Sequence, residues 1–162
     1  MVRRVFFSFH FGRDNWRANV VRKSWVTHDD HEAAGYIDAG EWEDLKRQSE
    51  DAIKRWIRGQ MKNTSVVAVL IGAQTANWPW VEFEIKEALR KGKGIVGIRV
   101  HNIENQHRST DTRGPDPLSA YYTVNGQLHR PSNSFNTHSW KLDNGRDNFG
   151  QWVEEAAQTV GR

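Results

Sequence analysis

The stretch NWPWVEFEIKEALRKGKGIVGIRV, residues 77–100, interleaves two tryptophans with two glutamates: Trp78, Trp80, Glu82 and Glu84 spell W-x-x-x-E twice in overlapping frames. Two carboxylates beside aromatic rings suit an acid/base pair, or a single carboxylate set against a developing positive charge. Helical geometry separates the options. With Pro79 in the first turn, Val81, Ile85, Ala88 and Leu89 form one apolar stripe. Successive residues turn by about 100°, so Glu82 and Glu84 fall on opposite flanks of that stripe and cannot serve one centre together. Trp80 stands four residues before Glu84 and shares its flank, whereas Trp78 precedes the proline and lies outside the helix. The coherent frame is Trp80–Glu84. On the residues alone, Glu84 also reads as a helix-start charge favoured by the dipole.

Other chemistry-bearing groups are poorer. His28-Asp29-Asp30-His31 holds metal-ligand types, but in a polar turn just past a helix, which reads as solvated. His101, His107, His129 and His138 lack ligand spacing, so no metal site is expected. Ser8 has no G-x-S-x-G context. The chain has no cysteine, which excludes disulfides, thiol nucleophiles and cysteine–zinc sites. No G-x-G-x-x-G or Walker loop follows the first strand. A phospho-receiver would need acids where this chain has His10 and Gly72.

These residues must be positioned by a chain of 162 residues with net charge +3, the size of one domain. RRVFFSF reads as a buried first strand. A helix follows behind a capping Asp14, with Trp16, Val20 and Val21 at helical spacing. AAGYIDA is a second strand, and 41–61 one amphipathic helix carrying Trp42, Leu45, Ala52, Ile53, Trp56 and Ile57. SVVAVLI is a strand buried on both faces, and GIVGIRV a fourth. This alternation predicts an α/β fold with an open, doubly wound parallel sheet and helices on both faces. Residues 101–147 read as loop-rich, with a hairpin at Asn125-Gly126, and 148–160 as a closing helix. Lys46, Arg47, Lys54, Arg55, Arg58 and Lys62 make the second helix basic, which a solvated face explains better than a nucleic-acid surface. The longest apolar run is too short to span a bilayer and no cleavage signature follows the first strand, so a cytoplasmic protein is expected, without a membrane partner.

In such sheets ligands bind beyond the carboxyl ends of the strands. Those ends carry SFHF, DAGEW and IGAQTANWPW. Phe9, His10, Phe11, Asp38, Trp42 and Trp80 are therefore the candidate pocket residues. Five of the six have a structural alternative: Phe9, Phe11 and Trp80 as core or rim aromatics, Asp38 as a helix cap and Trp42 as a core residue.

RRVFFSFHFGRD, YIDAGEW, VVAVLIGAQT and W-V-E-F-E-I together resemble a TIR domain, and more closely the TIR-like proteins of the Thoeris antiphage system. The resemblance is strongest over residues 3–100 and loose in the tail, and it implies one flavodoxin-like TIR domain over 1–162. It also implies NAD⁺ as substrate, not cofactor, cleaved at the nicotinamide–ribose bond, with Glu84 catalytic. The implied product is a cyclic or conjugated ADP-ribose messenger that reaches a separate effector after a phage-derived trigger, with self-association possible. Because many TIR domains are adaptors, the alternative is a non-catalytic interaction module. A lone carboxylate suits the chemistry. Nicotinamide leaves neutral from a cationic pyridinium and needs no general acid, unlike the leaving group of an ordinary glycoside.

Overall fold

The computed structural model describes residues 3–37 and 39–162. In chain order the elements are β1 (Arg3–Ser8), α1 (Phe11–Val26), β2 (His31–Ala34), α2 (Ala39–Gln48), α3 (Glu50–Met61), β3 (Val66–Ile71), α4 (Pro79–Arg90), β4 (Gly94–Arg99), β5 (Tyr122–Val124), β6 (Gln127–His129), β7 (Thr137–Ser139) and α5 (Gly145–Thr159). Five strands form one sheet in the order β2-β1-β3-β4-β7, every neighbouring pair parallel. This is the flavodoxin-like order, with β7 as the fifth strand, and it reverses between β1 and β3. The two strands run in register from Val5 opposite Val66 to Ser8 opposite Val69, so Ser8 stands at the switch point.

Burial explains the centre. All six residues of β3 are fully buried, as a β-branched run covered on both faces requires. Consecutive strand residues point to opposite faces. Phe7 packs edge-on against Phe149 of α5 at 6.1 Å, whereas Ser8 reaches Glu84 of α4. Helices α1 and α5 thus cover one face. α4 covers the other beside α3, to which Glu87 is tied by Arg58.

The structure corrects several expectations. β2 lies earlier than AAGYIDA: it pairs from His31 and stops at Ala34, because Gly35 turns the chain out at φ +79°. The helix expected over 41–61 is two helices. Ser49 is extended and its hydroxyl accepts from the Ala52 N–H, capping α3 and ending α2 at Gln48. Asp14 is not a cap. The His10 carbonyl accepts from the Arg13 and Asp14 N–H groups, so α1 begins at Phe11 and Asp14 is fully buried within its first turn. Of the expected stripe Val21 is buried, but Trp16 lies at the surface beneath the Arg17 guanidinium. The hairpin forms as expected, with positive φ at both Asn125 and Gly126. β7, within the stretch expected to be loop, was not anticipated. α5 starts at Gly145, three residues early.

Gly35 offers a test. A Cβ there would lie 2.7 Å from the Phe7 carbonyl oxygen in a left-handed conformation, whereas at Gly92, also left-handed, it would meet open space. Gly92→Ala should cost about 1–2 kcal/mol in urea unfolding, and Gly35→Ala clearly more, because the clash adds to the same backbone penalty.

Candidate active site

Glu84 is the second-turn residue of a helix whose start is fixed by Trp78, extended before Pro79, and whose apolar stripe Val81, Ile85 and Ala88 is buried against the sheet. That orientation turns Glu84 inward and Glu82 out. Glu82 is exposed and pairs with Lys86 at 3.1 Å. Glu84 is 6 % exposed, and its Oε1 accepts a hydrogen bond from the Ser8 hydroxyl at 3.2 Å. Glu87, one turn on, is also buried, but Arg90 grips it at 2.8 and 3.2 Å and Arg58 approaches to 3.6 Å.

The contrast sets the electrostatics. Burial would raise the Glu87 carboxyl, but the hydrogen bonds and charge of Arg90, with Arg58, hold it below the usual range. Burial pushes Glu84 well above that range, and the Ser8 hydrogen bond opposes it only in part.

The carboxylate faces a cleft at the carboxyl end of β1. Phe9, Phe11, Ile37, Trp42, Trp56, Trp78 and Trp80 line it with Glu84, around about 360 Å³ of space that includes the open mouth. The rings brace one another in sequence: Phe9 to Phe11 at 6.1 Å, Phe11 to Trp42 at 5.7 Å and Trp42 to Trp78 at 6.5 Å. Behind Trp78 lies His10, ring centroids 3.7 Å apart. Burial and the charge of Arg13 lower the His10 imidazole, outweighing a backbone hydrogen bond that raises it. Most of that space is open mouth; the enclosed part is about 30 Å³, room for about one water.

Comparison with known proteins agrees with this architecture. The family described as "Thoeris protein ThsB, TIR-like domain" matches residues 6–105. The chain belongs to this family. It is also similar to a Bacillus cereus (strain MSX-D12) protein named "Putative cyclic ADP-D-ribose synthase ThsB1", 35% identical over 192 aligned positions that cover 94% of this chain and 100% of that protein.

Of the pocket residues expected in this TIR-like chain, Phe9, Phe11, Trp42, Trp80 and Glu84 line one cleft. His10 does not line it but supports Trp78 from behind. Asp38 lies outside the described residues. Sequence reasoning missed Ser8, set aside for want of a nucleophile motif, and Trp78, Trp56 and Ile37. The His28–His31 group is elsewhere: the His31 ring stacks flat on Trp25 at 3.5 Å, with Nδ1 3.0 Å from the Trp25 carbonyl oxygen. No helix among the described residues is long and apolar enough to cross a membrane.

The raised Glu84 carboxyl has a consequence for stability. The folded state holds the Glu84 proton more tightly than the unfolded chain. Its contribution is therefore fully present below the ordinary carboxylate range and is lost as pH rises through the folded value. Glu84→Gln keeps the shape and carries no titrating proton. In urea unfolding, the variant should gain stability relative to the parent as pH rises from 4 to 8; a constant difference would show that Glu84 titrates normally.

Proposed function

We propose that this protein is an NAD⁺-consuming TIR enzyme that breaks the nicotinamide–ribose bond with Glu84 as its catalytic carboxylate. The observation that carries the proposal is a buried glutamate without a cationic partner, the one carboxylate among the described residues lining the aromatic cleft. A buried acid kept without a cation is ready to meet a charge that the ligand brings. The pyridinium of NAD⁺ is such a charge, and the faces of Trp78, Trp80 and Trp42 suit it by cation–π attraction.

When the cationic ring enters, its field favours the ionised form of Glu84, reversing the effect of burial. The N–glycosidic bond then breaks with its electron pair moving to the pyridine nitrogen, so nicotinamide departs neutral. Positive charge shifts to the ribose C1′ and ring oxygen, where the Glu84 carboxylate stabilises it. Ser8 holds Oε1 and fixes the carboxylate's direction. Aromatic walls limit water, which favours capture of C1′ by a nucleophile of the same molecule, with loss of one proton. That closes a cyclic ADP-ribose, in keeping with the name of the Bacillus cereus relative. We place the enzyme in the cytoplasm, where its product reaches a separate effector after a phage-derived trigger.

The experiment is incubation of purified protein with NAD⁺, with and without infected-cell lysate, and resolution of products by mass spectrometry. Nicotinamide and a cyclic or conjugated ADP-ribose are expected. Glu84→Gln should lose on the order of 10²–10³ in rate, the usual cost of one preorganised electrostatic partner, while Glu82→Gln keeps most activity. Equal turnover by Glu84→Gln and the parent would remove Glu84 from its role; no turnover under any trigger would favour an adaptor.

Ser8 gives an independent sign test. Since catalysis needs ionised Glu84, kcat/KM should rise with pH through a value above the ordinary carboxylate range. Ser8→Ala removes the hydrogen bond that favours the charged form, so that limb should move to higher pH. A limb that stays in place would deny Ser8 any hold on the carboxylate.

A further inference from the structure

A second cleft lies at the carboxyl ends of β4 and β7, sharing no lining residue with the Glu84 cleft. Its walls carry Arg99, His101, Arg113, His138 and Ser139 around about 530 Å³ of space, open mouth included. Arg99 and Ser139 are the terminal residues of their strands and stand opposite each other in the sheet. Lys141 ties the two walls by pairing with Glu104 at 2.9 Å.

Basic side chains outnumber acids in the cleft, whose lining holds one carboxylate, Asp143. Arg99 donates to the Gly114 carbonyl at 2.8 Å, and neither Arg99 nor Arg113 forms an ion pair among the described residues. The nearby acids each accept from a donor other than the cleft arginines. Asp111 accepts from Arg13 at 2.9 Å, Asp116 from the Leu118 N–H at 2.9 Å, and Asp143 from the Ser139 N–H at 2.7 Å. His101 is 8 % exposed and its Nδ1 has no hydrogen-bond partner among the described residues. Burial, then the charges of Arg99 and Arg113, lower its imidazole, an independent sign that positive charge accumulates here.

We propose that this cleft is a second ligand site, taking the phosphate or diphosphate group of a nucleotide through Arg99, Arg113 and His101. Guanidinium forks match phosphate oxygens in pairs, and a concave site of this size fits a small anion better than a polymer track. The placement agrees with the general rule for parallel sheets, whose strand ends receive ligands. The diphosphate has two sources, a dinucleotide reaching across from the Glu84 cleft or a separate nucleotide. The proposal does not depend on the reaction assigned to Glu84.

The test is calorimetric titration with inorganic pyrophosphate at fixed ionic strength. The parent should bind one equivalent saturably. Arg113→Gln, a change at an exposed side chain that leaves the fold intact, should weaken binding roughly tenfold, the scale of one charged hydrogen bond. Lys86→Gln removes a half-buried cation on α4, outside the cleft lining, and should change nothing. To separate the sources, NAD⁺ is titrated into Glu84→Gln and into Glu84→Gln/Arg113→Gln. Weaker NAD⁺ binding in the double variant assigns the site to the dinucleotide's own diphosphate, and unchanged binding assigns it to a separate nucleotide. Absence of saturable pyrophosphate binding to the parent, or equal binding by Arg113→Gln, overturns the proposal.

Discussion

The bond from Ser8 to Glu84 is the constraint around which the site is arranged, because it joins the sheet's switch point to the helix that carries the acid. A carboxyl group taken out of water without a cation is costly to ionise, and one hydroxyl compensates only part of that cost. The surrounding structure must therefore hold Glu84 in place by packing. Val81, Ile85 and Ala88 fix the rotation of α4, and Pro79 fixes where it starts. Glu87 shows the other outcome on the same helix. Gripped by Arg90 and Arg58, it has its negative charge engaged in ion pairs and serves as a structural tie.

Aromatic packing performs the complementary task. Phe9, Phe11, Trp42 and Trp78 touch in series, so each ring's position is limited by the next, and His10 closes the series from behind as the residue that caps α1. The loops after β1 and β3 are thereby held together by ring contacts at the mouth of the cleft. Large rings bury much area for little conformational entropy, which suits a wall that must keep its shape and exclude water.

How much was legible in the sequence follows from the range of each interaction. The Trp80–Glu84 frame is set by helical periodicity within one turn, and both side chains do share the cleft. The strands β1, β3 and β4 declare themselves by continuous apolar runs. Ser8 could not be found this way, because its partner lies 76 residues away and a lone hydroxyl has no signature. Trp78 was read correctly as non-helical, yet its extended position before Pro79 is what sends its ring between His10 and Trp42. β7 spells Thr-His-Ser, three half-buried residues at a sheet edge without an apolar run to mark it. The break at Ser49 did have a signal, a serine followed by Glu50 and Asp51, but the apolar positions on either side keep helical spacing across it.

Asp14 shows that burial of an acid is not enough to make a site. Like Glu84 it sits near the start of a helix. Burial raises its carboxyl to about 6, against the opposing charge of Arg17, whose Nη1 lies 3.7 Å away. Both of its oxygens lack a hydrogen bond among the described residues. Yet Asp14 is packed onto Gly72, where a Cβ would run into its carboxylate, and the segment carrying Asp111 is tied over it by Arg13 and Arg17. Its carboxylate is fully buried. Glu84 differs in what stands in front of it: it lines a cleft walled by aromatic rings, whereas beside Asp14 the backbone of Gly72 closes in. The two acids share a raised proton affinity; the cation beside Asp14, absent at Glu84, and the cleft that Glu84 lines separate the one suited to chemistry from the one sealed in the fold.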